Sequence, residues 1–146
     1  MPLLNIAAHC NVRIVVEIGR SDSDQPNLPD NMRAVRLRAS EILIKRSTAV
    51  LTTGGSSATL SALTHARPLI LAPTGGEQRV TAEVCNAWGV GVEWPDNPSQ
   101  LFNDLQRPDH EARGHARRIA NILNTELGLT KAVAVLERLC ASQTRN

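Results

Sequence analysis

Short apolar, β-branched runs alternate with segments of three-to-four spacing along most of the chain. Leu3 to Ala8 reads as the end of a helix, and Arg13-Ile-Val-Val-Glu-Ile18, closed by Gly19, as a buried strand. A loop rich in Asp, Ser, Pro and Asn covers 20–31, and Met32 to Leu37 alternates as a second strand would. Ser40 ahead of Glu41-Ile-Leu43 predicts a short capped helix through Lys45. Thr48 to Thr52 reads as a strand, broken by Thr53-Gly-Gly-Ser-Ser57. Ala58 to His65 then predicts a helix with Leu60 and Leu63 inward, stopped by Pro68. Pro68-Leu-Ile-Leu-Ala72 is the kind of run that is buried on both faces of a parallel sheet. After Pro73-Thr-Gly-Gly76, Glu77 to Trp88 has helical spacing at Val80, Val84, Ala87 and Trp88, with Gly89 as its C-terminal cap. Val90 to Trp94 reads as the last strand.

Asn97-Pro-Ser-Gln100 carries the signals of a helix start. Ala112, Ala116, Ile119, Ala120, Leu123 and Leu127 predict a longer amphipathic helix, which Gly128 stops. Thr130 would cap a closing helix with Val133, Leu136 and Leu139/Cys140 on its apolar face. Strand–helix alternation followed by helices predicts an α/β fold: a Rossmann-like, doubly wound parallel sheet, one domain over 1–146, with C-terminal helices.

The 146 residues suit a single domain. A net charge of +2, from 16 Lys+Arg and 14 Asp+Glu, is too small to indicate nucleic acid or an anionic membrane as partner. The only aromatics are Trp88, Trp94 and Phe102, which argues against a base-stacking platform. Cys10, Cys85 and Cys140 are odd in number and widely spaced, so the expectation is small core residues in a reduced cytoplasm, with no disulfide framework and no zinc site. No basic segment precedes an apolar run at the N-terminus, and no apolar stretch reaches the roughly 18–20 residues that span a bilayer, so neither signal peptide nor transmembrane segment is expected.

Two loops are suited to chemistry. Thr53-Gly54-Gly55-Ser56-Ser57 leaves a strand and opens a helix, offering free backbone N–H groups, the positive end of a helix dipole and hydroxyl donors to a phosphate or diphosphate. It lacks the Gly-Lys-Ser/Thr of a Walker A loop, and a glycine turn that merely caps a helix has the same composition. Glu77-Gln78, just after another strand, pairs an acceptor with an amide, as vicinal sugar hydroxyls require; a first-turn acid favoured by the helix dipole is the plainer account. His9, His65, His110 and His115 form no metal cluster, and no catalytic triad or nucleophile elbow occurs.

Together the loops lie in a longer pattern. Gly54, Gly55, Leu63, Pro68, Pro73, Glu77, Gln78, Gly89 and Gly91 fall, without a gap, in the register of the donor-binding signature of the UDP-glycosyltransferase superfamily. Leu28-Pro29-Asp30-Asn31-Met32 resembles that family's Leu-Pro-x-Asn-Val. The resemblance covers nearly the whole chain and implies the C-terminal, nucleotide-sugar-binding domain of a two-domain, B-type glycosyltransferase. It implies that Thr53, Gly54, Gly55, Ser56 and Ser57 hold the donor diphosphate, Ser61 the ribose, and Glu77 and Gln78 the donor sugar. The implied substrate is a UDP- or dTDP-hexose, its hexose passing to a small-molecule or lipid acceptor without metal or cofactor. It also implies that the domain's first strand and the N-terminal acceptor domain lie outside this chain, so an acceptor-binding domain or subunit is the implied partner and the chain alone is inactive. The chain departs from the pattern at Thr53 (His in the family), Ala58 (a hydroxyl residue), Ser61 (Glu), Ala66 (Gly) and Thr81 (Asn). Those departures keep a second reading open, a non-catalytic nucleotide-sugar-binding or partner subunit.

Overall fold

The computed structural model describes residues 10–18, 27–36, 40–95, 98–125 and 128–143. The expected helix at Leu3–Ala8, Asn97 as a cap, and Leu127 lie outside the described residues. The elements run β1 (Ile14–Glu17), β2 (Met32–Val35), α1 (Ser40–Arg46), β3 (Val50–Thr52), α2 (Ser56–Thr64), β4 (Leu69–Leu71), α3 (Gly76–Ala87), β5 (Gly91–Glu93), α4 (Pro98–Gln106), α5 (Glu111–Thr125) and α6 (Gly128–Gln143). All strand pairs are parallel: β1 with β2, Ile14 opposite Met32; β3 with β4, Val50 opposite Leu69; β4 with β5, Leu69 opposite Gly91. The predicted α/β layout is therefore present, with its strands divided into a β1-β2 sheet and a β3-β4-β5 sheet.

The core lies around β4, whose Leu69, Ile70 and Leu71 are all buried, as the uninterrupted apolar run requires. On one side Ala62, Leu63, Ala82, Cys85 and Val90 close over Leu69 and Leu71. On the other, Ile70 meets Leu105 and Ala112, with Trp94 and Phe102 edge-to-face, centroids 5.9 Å apart. Gly91 sits inside this packing. A Cβ there would lie 2.8 Å from Leu71 Cδ1 and 3.0 Å from Cys85 Cβ. Gly91→Ala is expected to cost about 1–3 kcal/mol through overpacking, read as a lower urea midpoint.

Most of the buried side chains on α2, α3 and α5 are small, with Leu63 the exception. On α2 the buried residues are Thr59, Ala62 and Leu63, while Leu60 is 53% exposed. On α3 they are Ala82 and Cys85, leaving Val80, Val84 and Trp88 exposed. The expected inward role of Leu60 is thus corrected and that of Leu63 borne out; the helices turn toward the sheet by the faces that let the backbones approach. Ala112, Ala116 and Ala120 form the buried seam of α5, which packs on α2, where Asn124 Nδ2 donates to the Thr64 carbonyl at 3.1 Å.

The C-terminal helices differ from expectation in two respects. Gly128 opens α6, and Thr130 lies within it instead of capping it. The expected apolar face of α6, Val133, Leu136, Leu139 and Cys140, is exposed, so Cys140 is not a core cysteine as Cys10 and Cys85 are. Across Glu111–Cys140 an 18-residue window reaches a mean hydropathy of 1.2, enough by length and composition alone to cross a membrane. The α5 part of it is amphipathic, with Arg117 and Arg118 exposed opposite the alanine seam, as in a helix covering a protein core. Burial pushes the Cys85 thiol up, keeping it a protonated packing group.

Gly89 ends α3 as predicted. Its φ is +66°, its N–H donates to the Asn86 carbonyl at 2.8 Å, and the Val90 N–H donates to the Cys85 carbonyl at 3.0 Å. This paired closure is a Schellman motif, and it aims the chain directly into β5.

Candidate functional site

Both candidate loops lie at the carboxyl ends of adjacent parallel strands, where such sheets present their ligands. β3 ends at Thr52 and α2 opens at Ser56; β4 ends at Leu71 and α3 opens at Gly76. α2 begins two residues earlier than the sequence predicts, so Ser56 and Ser57 occupy its first turn instead of preceding it.

The Thr53–Ser57 loop is held from below. The Gly54 N–H donates to Thr52 Oγ1 at 3.3 Å. Gly54 has φ +96°, and a Cβ there would stand 3.1 Å from the Gln78 carbonyl oxygen. Glycine therefore answers two demands at this position, a left-handed turn and a close approach of the two loops. Gly55 is the N-cap of α2, in extended geometry and with no side-chain capping bond. The first-turn amides of Ser56, Ser57 and Ala58 have no intrahelical acceptor, and the positive end of the helix dipole coincides with them. The side chains of Thr53, Ser56, Ser57 and Ala58 are exposed. One turn further on, the Thr59 hydroxyl is buried with no partner among the described residues.

The second loop repeats the device. Gly75 is the N-cap of α3, again extended and without a side-chain cap. Gln78 turns back on its own helix start: its Oε1 accepts from the Thr74 N–H at 2.8 Å and from Thr74 Oγ1 at 2.9 Å. Glu77 is exposed, and its Oε1 accepts from Ser56 Oγ at 3.4 Å. The structure thus brings Gly54, Gly55, Ser56, Glu77 and Gln78 into one surface. Thr53 and Ser57 flank it on the same loop. Ser61 is half-buried further along α2; its carbonyl accepts from His65 Nδ1 at 2.8 Å, and no hydrogen bond among the described residues ties it to the loops. Thr74 is the residue that sequence reasoning passed over. Its signal was a hydroxyl residue four positions before a first-turn Gln, close to a capping box.

A shallow open cleft of about 260 Å³ lies further along, lined by Val92, Glu93, Pro95, Gln100, Leu101 and Asp104. Neither loop lines it. Among the described residues, no group of three or more His, Cys, Asp or Glu is arranged to hold a metal.

Residues 2–123 match the family described as the erythromycin biosynthesis protein CIII-like, C-terminal domain. A 3-alpha-mycarosylerythronolide B desosaminyl transferase of Saccharopolyspora erythraea is 27% identical over 122 residues, covering 80% of this chain and 29% of the transferase. The calicheamicin glycosyltransferase CalG4 has a similar structure, with a TM-score of 0.76 at 25% identity, over 94% of this chain and 38% of that one. The glycosyltransferase SnogD of Streptomyces nogalater gives 0.79 at 23%, over 95% and 39%. VinC, a glycosyltransferase solved in complex with dTDP, gives 0.77 at 21%, over 95% and 37%. The chain therefore spans less than two fifths of each of these proteins, and the shape it shares with the three solved structures is the Rossmann-like α/β domain.

Proposed function

Since this chain belongs to the erythromycin biosynthesis protein CIII-like C-terminal domain family, we propose that it is the donor-binding part of a glycosyltransferase, moving a hexose from a UDP- or dTDP-sugar to a small-molecule or lipid acceptor. The observation that carries this reading is the joining of two glycine-capped helix starts through the Gly54–Gln78 approach and the Ser56–Glu77 hydrogen bond. One start offers amides and hydroxyls to an anion; the other offers a carboxylate and an amide to hydroxyls. In this reading Thr53, Gly54, Gly55, Ser56 and Ser57 hold the diphosphate, Ser61 meets the ribose, and Glu77 and Gln78 meet the sugar.

Chemically, the loop would act on the leaving group. Displacement at the anomeric carbon releases a nucleoside diphosphate, and the negative charge that develops on its β-phosphate is stabilised by fixed N–H donors and the helix dipole. Thr53, where the family pattern has His, supplies a hydroxyl donor and no positive charge. The base that takes the acceptor's proton comes, in this proposal, from an acceptor-binding domain or subunit. The same proposal includes a further parallel strand between β1 and β3. Its support is the division of the sheet at that point, with the strand residues Val15 and Leu51 49% and 43% exposed. A reduced cytoplasmic setting is proposed from the buried thiols of Cys10 and Cys85.

Thermal unfolding with millimolar UDP, dTDP and their hexose conjugates tests the reading. A ligand present at a hundred times its Kd adds about 2.7 kcal/mol, which raises the midpoint by several degrees. No shift with any of the four ligand types rejects it. A shift without product when an acceptor-binding half is added selects the non-catalytic reading, which the departures at Ala58, Ser61 and Thr81 favour.

A further inference from the structure

We infer that Thr74 is a positioning residue that fixes the Gln78 amide so that only its NH2 group is offered to a donor sugar. This rests on the donor-site reading above. A backbone N–H can only donate, so the Gln78 atom 2.8 Å from the Thr74 N–H must be the amide oxygen, and the hydroxyl 2.9 Å away adds a second donor to the same atom. Both hydrogen bonds oppose a flip of the amide. The Gln78 NH2 has no partner among the described residues, and beside it the Glu77 carboxylate is an acceptor, taking a hydrogen bond from Ser56 Oγ. Neighbouring side chains thus present one acceptor and one donor-only group. That polarity suits two adjacent hydroxyls, one giving its proton to Glu77 and the other accepting from Gln78. A flipped Gln78 would instead set a carbonyl beside a carboxylate, two acceptors together.

A purely structural account exists, because a Gln at this point of a helix can reach back as part of a capping box. The accounts separate by ligand. A cap supports the helix for every ligand alike, whereas a positioning residue affects only the sugar-dependent part of binding. Thr74 is exposed, so Thr74→Val and Thr74→Ser leave the core untouched. Isothermal titration of the whole chain with UDP, dTDP, UDP-glucose and dTDP-glucose reads the difference. Thr74→Val is expected to hold affinity for the bare diphosphates within about twofold and to weaken the nucleotide sugars about three- to tenfold, as loss of one neutral hydrogen bond implies. Thr74→Ser, which keeps the hydroxyl, should restore them. Equal weakening of both ligand classes, or of neither, overturns the positioning role. Wild-type binding of diphosphates with no gain from the sugar overturns it as well, while leaving the diphosphate loop standing. Absence of any nucleotide binding overturns the donor site itself.

Discussion

Gly55→Asp is expected to abolish nucleotide binding while leaving the fold as stable as before, or slightly more so. Gly55 has φ −63° and ψ 140°, which any L-residue adopts, and a Cβ there meets nothing within 4 Å. The position is an N-cap without a side-chain bond, and Asp there gains about a few tenths of a kcal/mol over Gly. Its carboxylate would take the first-turn amides for itself and set a negative charge where the diphosphate should sit. Charge-assisted hydrogen bonds contribute about 1.5–3 kcal/mol each, so losing two or more weakens binding by about a hundredfold or beyond. Calorimetric titration with UDP and dTDP, beside thermal unfolding, checks both halves. A midpoint that rises while affinity persists would remove the anion from this loop.

Gly89→Ala should have the largest effect on stability. Its φ of +66° costs an L-residue about 1–2 kcal/mol, and the new methyl would stand 2.2 Å from His115 Nδ1 and 2.8 Å from its Cε1. Overpacking adds about 1–3 kcal/mol, for a total of about 2–5 kcal/mol in urea unfolding. The His115 ring is a side chain and the φ strain is backbone. Gly89→Ala combined with His115→Ala should therefore cost less than the two single changes together, with the left-handed strain persisting. Strict additivity would show that the ring does not obstruct the methyl.

Much of the fold was legible where residue type leaves one solution. The Leu69-Ile70-Leu71 run admits only a doubly covered strand, Gly89 only a left-handed helix end, and Gly54-Gly55 a tight turn into a helix. The facing of α2 and α3 was not legible in the same way. Their apolar residues occupy neighbouring stripes, and three-to-four spacing fits more than one of them. Contact with the rest of the fold selected Ala62, Ala82 and Cys85 over Leu60, Val80 and Val84. At the candidate site, spacing identified Gly54, Gly55, Glu77 and Gln78. It carried no information on the Ser56–Glu77 bond, because that bond joins separate loops, nor on Thr74, whose part depends on which way Gln78 turns.

The buried face of α2 has a thermodynamic consequence for the loop at its N-terminus. Ala62 has no rotamers and is packed with Leu63 among Leu69, Leu71, Ala82, Cys85 and Val90, so α2 rests on a filled surface that leaves it little room to tilt. A helix backed by such a surface keeps its heading before anything reaches its N-terminus. The amides of Ser56, Ser57 and Ala58 are then already aimed in the empty protein, and an arriving anion forfeits little of its binding energy to ordering them.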